Sequence, residues 1–263
     1  MSLRWYFTID RMPHPFMLND VVHLPNNDIS LLNISDDHIG QRFIFSSVHL
    51  NDLHDPDEVY SRGMSLKMLY VGAHNLFYDP LFHFMGDCGF DFKGLYYSEN
   101  DIDVTPANVE HLSPSYPFSR TVLLKDFKNC PNPYTSPVSA LVYLARTNED
   151  VMILLKQLSV GMSWINLYSI LDSVKFFFGG KEKMKKAAKI TDTHLKSFCG
   201  TANNHGVLGT NARHGISGYL RPSKVMSLKE ARMLIIRICR SYIQYKYNFD
   251  ALKEVNNSNL RTA

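Results

Sequence analysis

Between Asn129 and Pro137 the sequence reads Asn-Cys-Pro-Asn-Pro-Tyr-Thr-Ser-Pro, three prolines in nine positions. Proline lacks the amide hydrogen that a helix interior or a central strand needs, so neither element can run through this stretch. The apolar pattern changes across it. Before it, apolar residues come in short runs broken by Pro, Asn, Asp and Gly; after it, they recur at helical spacing. The expected fold is α+β: an acidic, mostly antiparallel β domain over residues 1–130, a basic antiparallel α-helical bundle over 137–254, and a frayed tail over 255–263.

Charge divides at the same place. Residues 1–136 carry 9 Lys and Arg against 17 Asp and Glu, a net of −8, whereas residues 137–263 carry 19 against 8, a net of +11. So wide a split implies two units with different surfaces, the basic one suited to nucleic acid or to an acidic protein face. No apolar run is long enough for a membrane helix, and the opening Met1–Asp10 has no core of signal-peptide length. The expectation is a cytoplasmic chain without membrane contact. Cys88, Cys130, Cys199 and Cys239 form no C-x-x-C pair, which argues against a zinc knuckle or a disulfide framework.

In the first half, candidate strands are Leu3–Asp10, Asp20–Leu24, Ile29–Ile34, Arg42–Leu50, Ser65–Val71, Phe92–Tyr97 and Arg120–Phe127, short and rich in aromatic and β-branched residues. Helical periodicity is poor throughout, so a sandwich or barrel-like antiparallel sheet is expected. The second half opens with helices over Ser139–Ala145 and from Thr147-Asn148-Glu149-Asp150 to about Val160. Another spans Ser163–Phe178 and stops at Gly179-Gly180; a lysine-rich turn over Lys181–Lys189 then leads through Thr191 into a helix ending near Cys199. The last helix starts with a capping box, Ser227-Leu-Lys-Glu230. Its stripe of Ala231, Leu234, Ile235, Ile238, Tyr242 and Tyr245 opposes Lys229, Arg232, Arg237 and Arg240, which predicts one buried and one basic face, with Cys239 a small core residue.

Between the last two helices, Thr201–Gly215 brings Asn203, Asn204, His205, Asn211, Arg213 and His214 into one Gly-rich segment. Amides, imidazoles and a guanidinium can bind phosphate, orient a sugar hydroxyl or move a proton. The same Asn and Gly residues equally suit a plain connection that needs caps and positive φ angles.

The helix order, the helix Trp164-Ile-Asn-Leu-Tyr-Ser-Ile-Leu-Asp172, the segment Asn211-Ala-Arg213-His214-Gly215 and the closing capped helix together resemble the HEPN superfamily. These are α-helical bundles found in bacterial toxins, phage-defence proteins and RNA-processing factors. The likeness covers roughly Val138–Tyr247. It implies that Arg213 is the motif arginine and His214 the polar residue after it, that the protein pairs as a homodimer, and that RNA is its partner. Catalytic members add a histidine a short distance beyond the arginine; at that distance this chain has Gly218, Tyr219 and Leu220.

Metal-free RNA cleavage needs a base for the 2′-hydroxyl proton and a cation for the phosphorane. The candidate catalytic residues are therefore Arg213 with His214 or His205, and the candidate nucleic-acid contacts are Asn203, Asn204, Asn211, Lys181, Lys185 and Lys186. The run Lys181, Lys183, Lys185, Lys186, Lys189 also suits a solvated helix face. Gly179-Gly180-Lys181 lacks the spacing of a phosphate-binding loop, and no dinucleotide fingerprint occurs. The sets His49, Asp52, His54, Asp55 and His74, His83, Asp87, Cys88 lack the regular spacing of a dedicated metal site. No metal and no cofactor are expected. The reading is an RNA-engaging, HEPN-like protein, with a metal-independent endoribonuclease of stress or phage defence as its sharpest form. The alternative is a non-catalytic dimeric module whose β domain recognises a protein or small ligand.

Overall fold

The computed structural model describes residues 4–9, 29–36, 40–77, 89–125, 137–216 and 221–249. The architecture is α+β, an N-terminal antiparallel sheet followed by a run of helices. Two compact units are present: Met1–His74 with Cys88–Thr147, and Asn75–Asp87 with Asn148–Ala263. The division after Thr147 groups the helix following the proline cluster with the sheet.

The first unit contains β1 (Trp5–Ile9), β2 (Ser30–Asp36), β3 (Gly40–Ser46), β4 (Phe92–Tyr97) and β5 (Ile102–Asp103), in the order β2-β3-β1-β4-β5, each neighbour antiparallel. Register sets Leu31 opposite Phe45, Phe45 opposite Phe7 and Phe7 opposite Leu95, and all four side chains are fully buried. Side chains alternate along a strand, so this row marks the core face of the sheet. Helix α1 (Pro56–Phe77) lies on that face, with Tyr60 edge-on to Phe7 at 5.4 Å. Gly63 approaches so closely that a Cβ there would overlap the Phe7 ring.

One sheet covered by a helix therefore takes the place of the expected sandwich or barrel among the described residues. Ser65–Val71, read from sequence as a strand, is the middle of α1. Residues 69–74 are buried on every side, so no polar face interrupts the apolar run to reveal a helical period. Arg120–Phe127, also read as a strand, contains α2 (Arg120–Lys125), and the strand expected to reach Leu50 ends at Ser46 before a tight turn over Val48–Leu50. The candidate strand Asp20–Leu24 lies outside the described residues.

A buried polar cluster closes the first unit beside α3 (Pro137–Thr147). His49 is fully buried; its Nδ1 accepts from the Ser119 amide at 3.2 Å and its Nε2 faces the Arg146 guanidinium. Burial, then the charges of Arg146 and Arg62, lower the His49 pKa to about 3, so the ring stays neutral. Arg146 lies over Phe118 at 5.3 Å and Tyr143 at 5.5 Å. Arg62 donates to the His49 carbonyl at 2.8 Å and to Asp52 at 2.6 Å, and Ser119 Oγ donates to the other Asp52 oxygen at 2.8 Å.

The second unit contains α4 (Glu149–Ser159), α5 (Trp164–Phe177), α6 (Lys181–Ala188), α7 (Asp192–Ala202), α8 (His205–Leu208) and α9 (Leu228–Tyr247). Asn148 stands at the N-cap of α4, where its carbonyl accepts from the Met152 amide at 3.1 Å, and the capping box read at Ser227 is present, formed with Glu230. Ser163 accepts from the Asn166 amide, and Thr191 forms a capping box with His194. Gly179 and Gly180 adopt φ of +70° and +127° after α5, a conformation that favours glycine. Lys181–Lys189, expected as a turn, is helical as α6 and stops at Lys189 in the left-handed region. On α9, Cys239 is a fully buried core residue as expected, and burial pushes its thiol pKa up. Two residues depart from the expected faces: Tyr245 is exposed, and Arg240, placed by periodicity on the basic face, is 2% exposed. Arg240 donates to the Leu76 carbonyl at 2.7 Å and the Phe77 carbonyl at 2.6 Å. Among the described residues no helix is long and apolar enough to cross a membrane.

Candidate functional site

The polar segment is a folded connection built on the end of α7. Asn203 caps that helix, and the buried Asn204 accepts from the Val207 and Leu208 amides through its carbonyl, starting α8. Gly209, at φ +57°, turns the chain into a 3-10 turn over Gly209–Asn211, and Ala212 is buried. The Arg213 amide then donates back to the Ala202 carbonyl at 2.8 Å, which closes the loop. Asn203 Oδ1 is buried without a hydrogen-bond partner among the described residues.

Arg213 lies over Tyr168 of α5. Its guanidinium sits 3.9 Å from the Tyr168 ring centroid, and an Nη lies 3.7 Å from Asp172 Oδ2. Tyr168 and Asp172 are four residues apart and so share one face of α5. Tyr168 is itself braced by Phe198 at 6.0 Å, and Phe198 by Trp164 at 5.8 Å. The other Asp172 oxygen accepts from Lys175 at 2.8 Å, the bond that chiefly raises the lysine pKa. The Arg213 side chain remains 37% exposed. His214 and Asn211 are exposed and His205 is half-buried. Cys199 lies in the same neighbourhood; burial raises its thiol pKa while a Tyr168 hydrogen bond opposes the rise.

A second segment, residues 221–227, is laid on α7 beside this loop. Ser197 Oγ donates to the Lys224 carbonyl at 2.9 Å, and Thr201 Oγ1 accepts from the Met226 amide at 3.0 Å. Gly200 faces Pro222; a Cβ there would stand 3.1 Å from the proline ring.

Of the residues singled out by sequence, the structure assembles Asn203, Asn204, His205, Asn211, Arg213 and His214 on one short loop. The lysines belong to α6, where Lys181 pairs with Asp192 at 2.6 Å and Lys185 with Asp192 at 2.8 Å and Glu182 at 3.0 Å. These bonds lower the Asp192 pKa to about 2, Lys181 being the larger cause. Lys186 is exposed. Positions 218–220, where the resemblance would seek a further histidine, lie outside the described residues. Sequence reasoning missed Tyr168 and Asp172 as partners of Arg213. Their i, i+4 spacing on one helix is visible in the sequence, but nothing local links that face to Arg213. Among the described residues no three His, Cys, Asp or Glu side chains converge to hold a metal ion, and His49 is committed to Ser119 and Arg146.

The chain matches no protein-family profile, and no similar curated protein or solved structure was found.

Proposed function

We propose that the second unit binds single-stranded RNA at the loop 201–215. The observation that carries this reading is the exposed Arg213, its guanidinium over the Tyr168 ring, beside the exposed His214 and Asn211. A stacked guanidinium offers a plane for a base and a charge for a phosphate, while the amide and imidazole offer hydrogen bonds to base edges. The resemblance to HEPN bundles supports the same ligand. Its sharper form is metal-independent cleavage, in which His214 or His205 takes the 2′-hydroxyl proton and Arg213 stabilises the phosphorane.

The test is co-purified nucleic acid, read as the ratio of absorbance at two ultraviolet wavelengths before and after a high-salt wash, with Arg213→Ala beside the wild type. A high ratio that falls with salt and is absent from the variant supports binding at the loop. A clean protein spectrum in both would sink the reading. For cleavage, end-labelled RNA is incubated with wild type and with the Arg213→Ala/His214→Ala double variant. Products from the wild type alone support catalysis, and equal cleavage by both overturns it.

One observation favours a second reading, a non-catalytic homodimer. Ile165 and Phe176 are exposed on one stripe of α5, Phe176 by 79%. Sedimentation of wild type and Phe176→Ser separates the two readings: a dimer abolished by the substitution, with no retained RNA, supports the second.

A further inference from the structure

The charges that the sequence offers most visibly to a phosphate backbone are poorly placed to meet one. Lys181 and Lys185 share Asp192, and Lys185 also holds Glu182. A phosphate there must displace a carboxylate already in place and gains little net charge.

A different group of cations surrounds the polar loop. Arg221 and Lys224 are exposed on the segment pinned to α7 through the Ser197 and Thr201 hydroxyls. Lys196, also exposed, lies one helical turn before Gly200, the residue that faces Pro222. Arg213 is tied to the last turn of the same helix through the Ala202 carbonyl. Among the described residues, none of Lys196, Arg221 and Lys224 forms an ion pair. Lys224 contributes only the weakest of the effects that shift Glu230, and that carboxylate is committed to capping α9. From Lys196 to Ala202 the helix rises about 9 Å, long enough for a track that meets more than one phosphate.

We propose that Lys196, Arg221 and Lys224 form the backbone track of the RNA site, continuous with Arg213 and independent of Lys181 and Lys185. This rests on the RNA reading above. The partner is a nucleic-acid strand rather than an acidic peptide because the track ends at a stacked guanidinium with an amide and an imidazole beside it. Those groups read bases, which an acidic peptide lacks.

The experiment is fluorescence anisotropy of a labelled oligouridylate with the full chain, titrated across a series of salt concentrations. Three proteins are compared: wild type, the triple variant Lys196→Ala/Arg221→Ala/Lys224→Ala, and the control Lys181→Ala/Lys185→Ala. For a single strand each neutralised phosphate contributes about 0.7 to the slope of log affinity against log salt. The triple variant is expected to lose about 2 from that slope, and the control to keep the wild-type value. Should the triple variant fail to fold, each single substitution is expected to remove about 0.7. RNA binding with equal slopes in wild type and track variants overturns the track and leaves the RNA site standing. An equal loss in the control overturns it as well. Wild type that binds no RNA overturns both readings, and full displacement of the RNA by polyglutamate at matched charge assigns the track to an acidic protein instead.

Discussion

Each unit contains an arginine laid over aromatic rings, and the two are used in opposite ways. Arg146 is 7% exposed, enclosed by Phe118 and Tyr143 with the neutral His49 ring against it. Arg213 rests on Tyr168 with its side chain 37% exposed. Both cations gain from the ring faces beneath them. What differs is the cost of taking either one away. Inside, the guanidinium has been desolvated, and the residues around it have been arranged to hold it. At the surface it stays open to solvent, with Asp172 at 3.7 Å. An arginine over aromatic rings is thus enclosed in the fold or left open at the surface according to its surroundings, and sequence alone does not separate the two.

The largest effect expected from breaking this contrast is at Arg146. Arg146→Ala empties the space beside Phe118 and Tyr143 and removes the group facing His49 Nε2, and should cost about 2–5 kcal/mol in urea unfolding; a loss below about 1 kcal/mol would place Arg146 with the surface class. Next comes pH. The unfolded chain binds a proton on His49 below about pH 6.5, whereas the folded chain refuses it until about pH 3. Stability from this group is therefore complete above pH 6.5 and falls as the pH drops toward 3, by about 2–3 kcal/mol at pH 4.5. His49→Gln should flatten the stability profile between pH 6.5 and 5, and a profile as steep as that of the wild type would show that His49 is not the source.

Smaller effects belong to the exposed arginine. Arg213→Ala should change unfolding free energy by about 0–1 kcal/mol while lowering oligouridylate affinity at least about tenfold by loss of a stacked base. A stability loss as large as that at Arg146 would make Arg213 a structural clamp. The smallest change is expected at Asp172→Asn, which leaves Tyr168 in place and removes a carboxylate that, on the proposed reading, would compete with phosphate for Arg213. RNA affinity should rise by about 2–3-fold with no change in melting temperature; a fall in affinity would show that Asp172 positions the guanidinium for its ligand.

The helices that were legible in the sequence are those with one wet side. The capped helices α5, α7 and α9 repeat against solvent, with start signals where the chain uses them, whereas strands β1, β2 and β4 were legible from short aromatic and β-branched runs between turn residues. Helix α1 was not legible because Leu69–His74 meets protein on every side, leaving β-favouring residues without a polar face to set a period. Arg240 failed for the complementary reason. Periodicity assigns it to the surface, but the Leu76 and Phe77 carbonyls, distant in sequence, accept its hydrogen bonds inside. At the site, the loop residues were recognisable by chemical type. Their supports on α5 and the cations of residues 221–224 depend on how α7 is packed, which no local pattern reports.

The Arg240 contact has a consequence for modularity. Its two acceptors come from residues that precede β4 in the chain, so the second unit is discontinuous in sequence although the proline cluster looks like a natural seam. A fragment starting after that seam would carry α9 with its guanidinium deprived of both carbonyls. The helical unit cannot be transplanted as one contiguous stretch. A fusion or shuffling event that respected the seam would inherit a defect in the core of the very part it meant to keep.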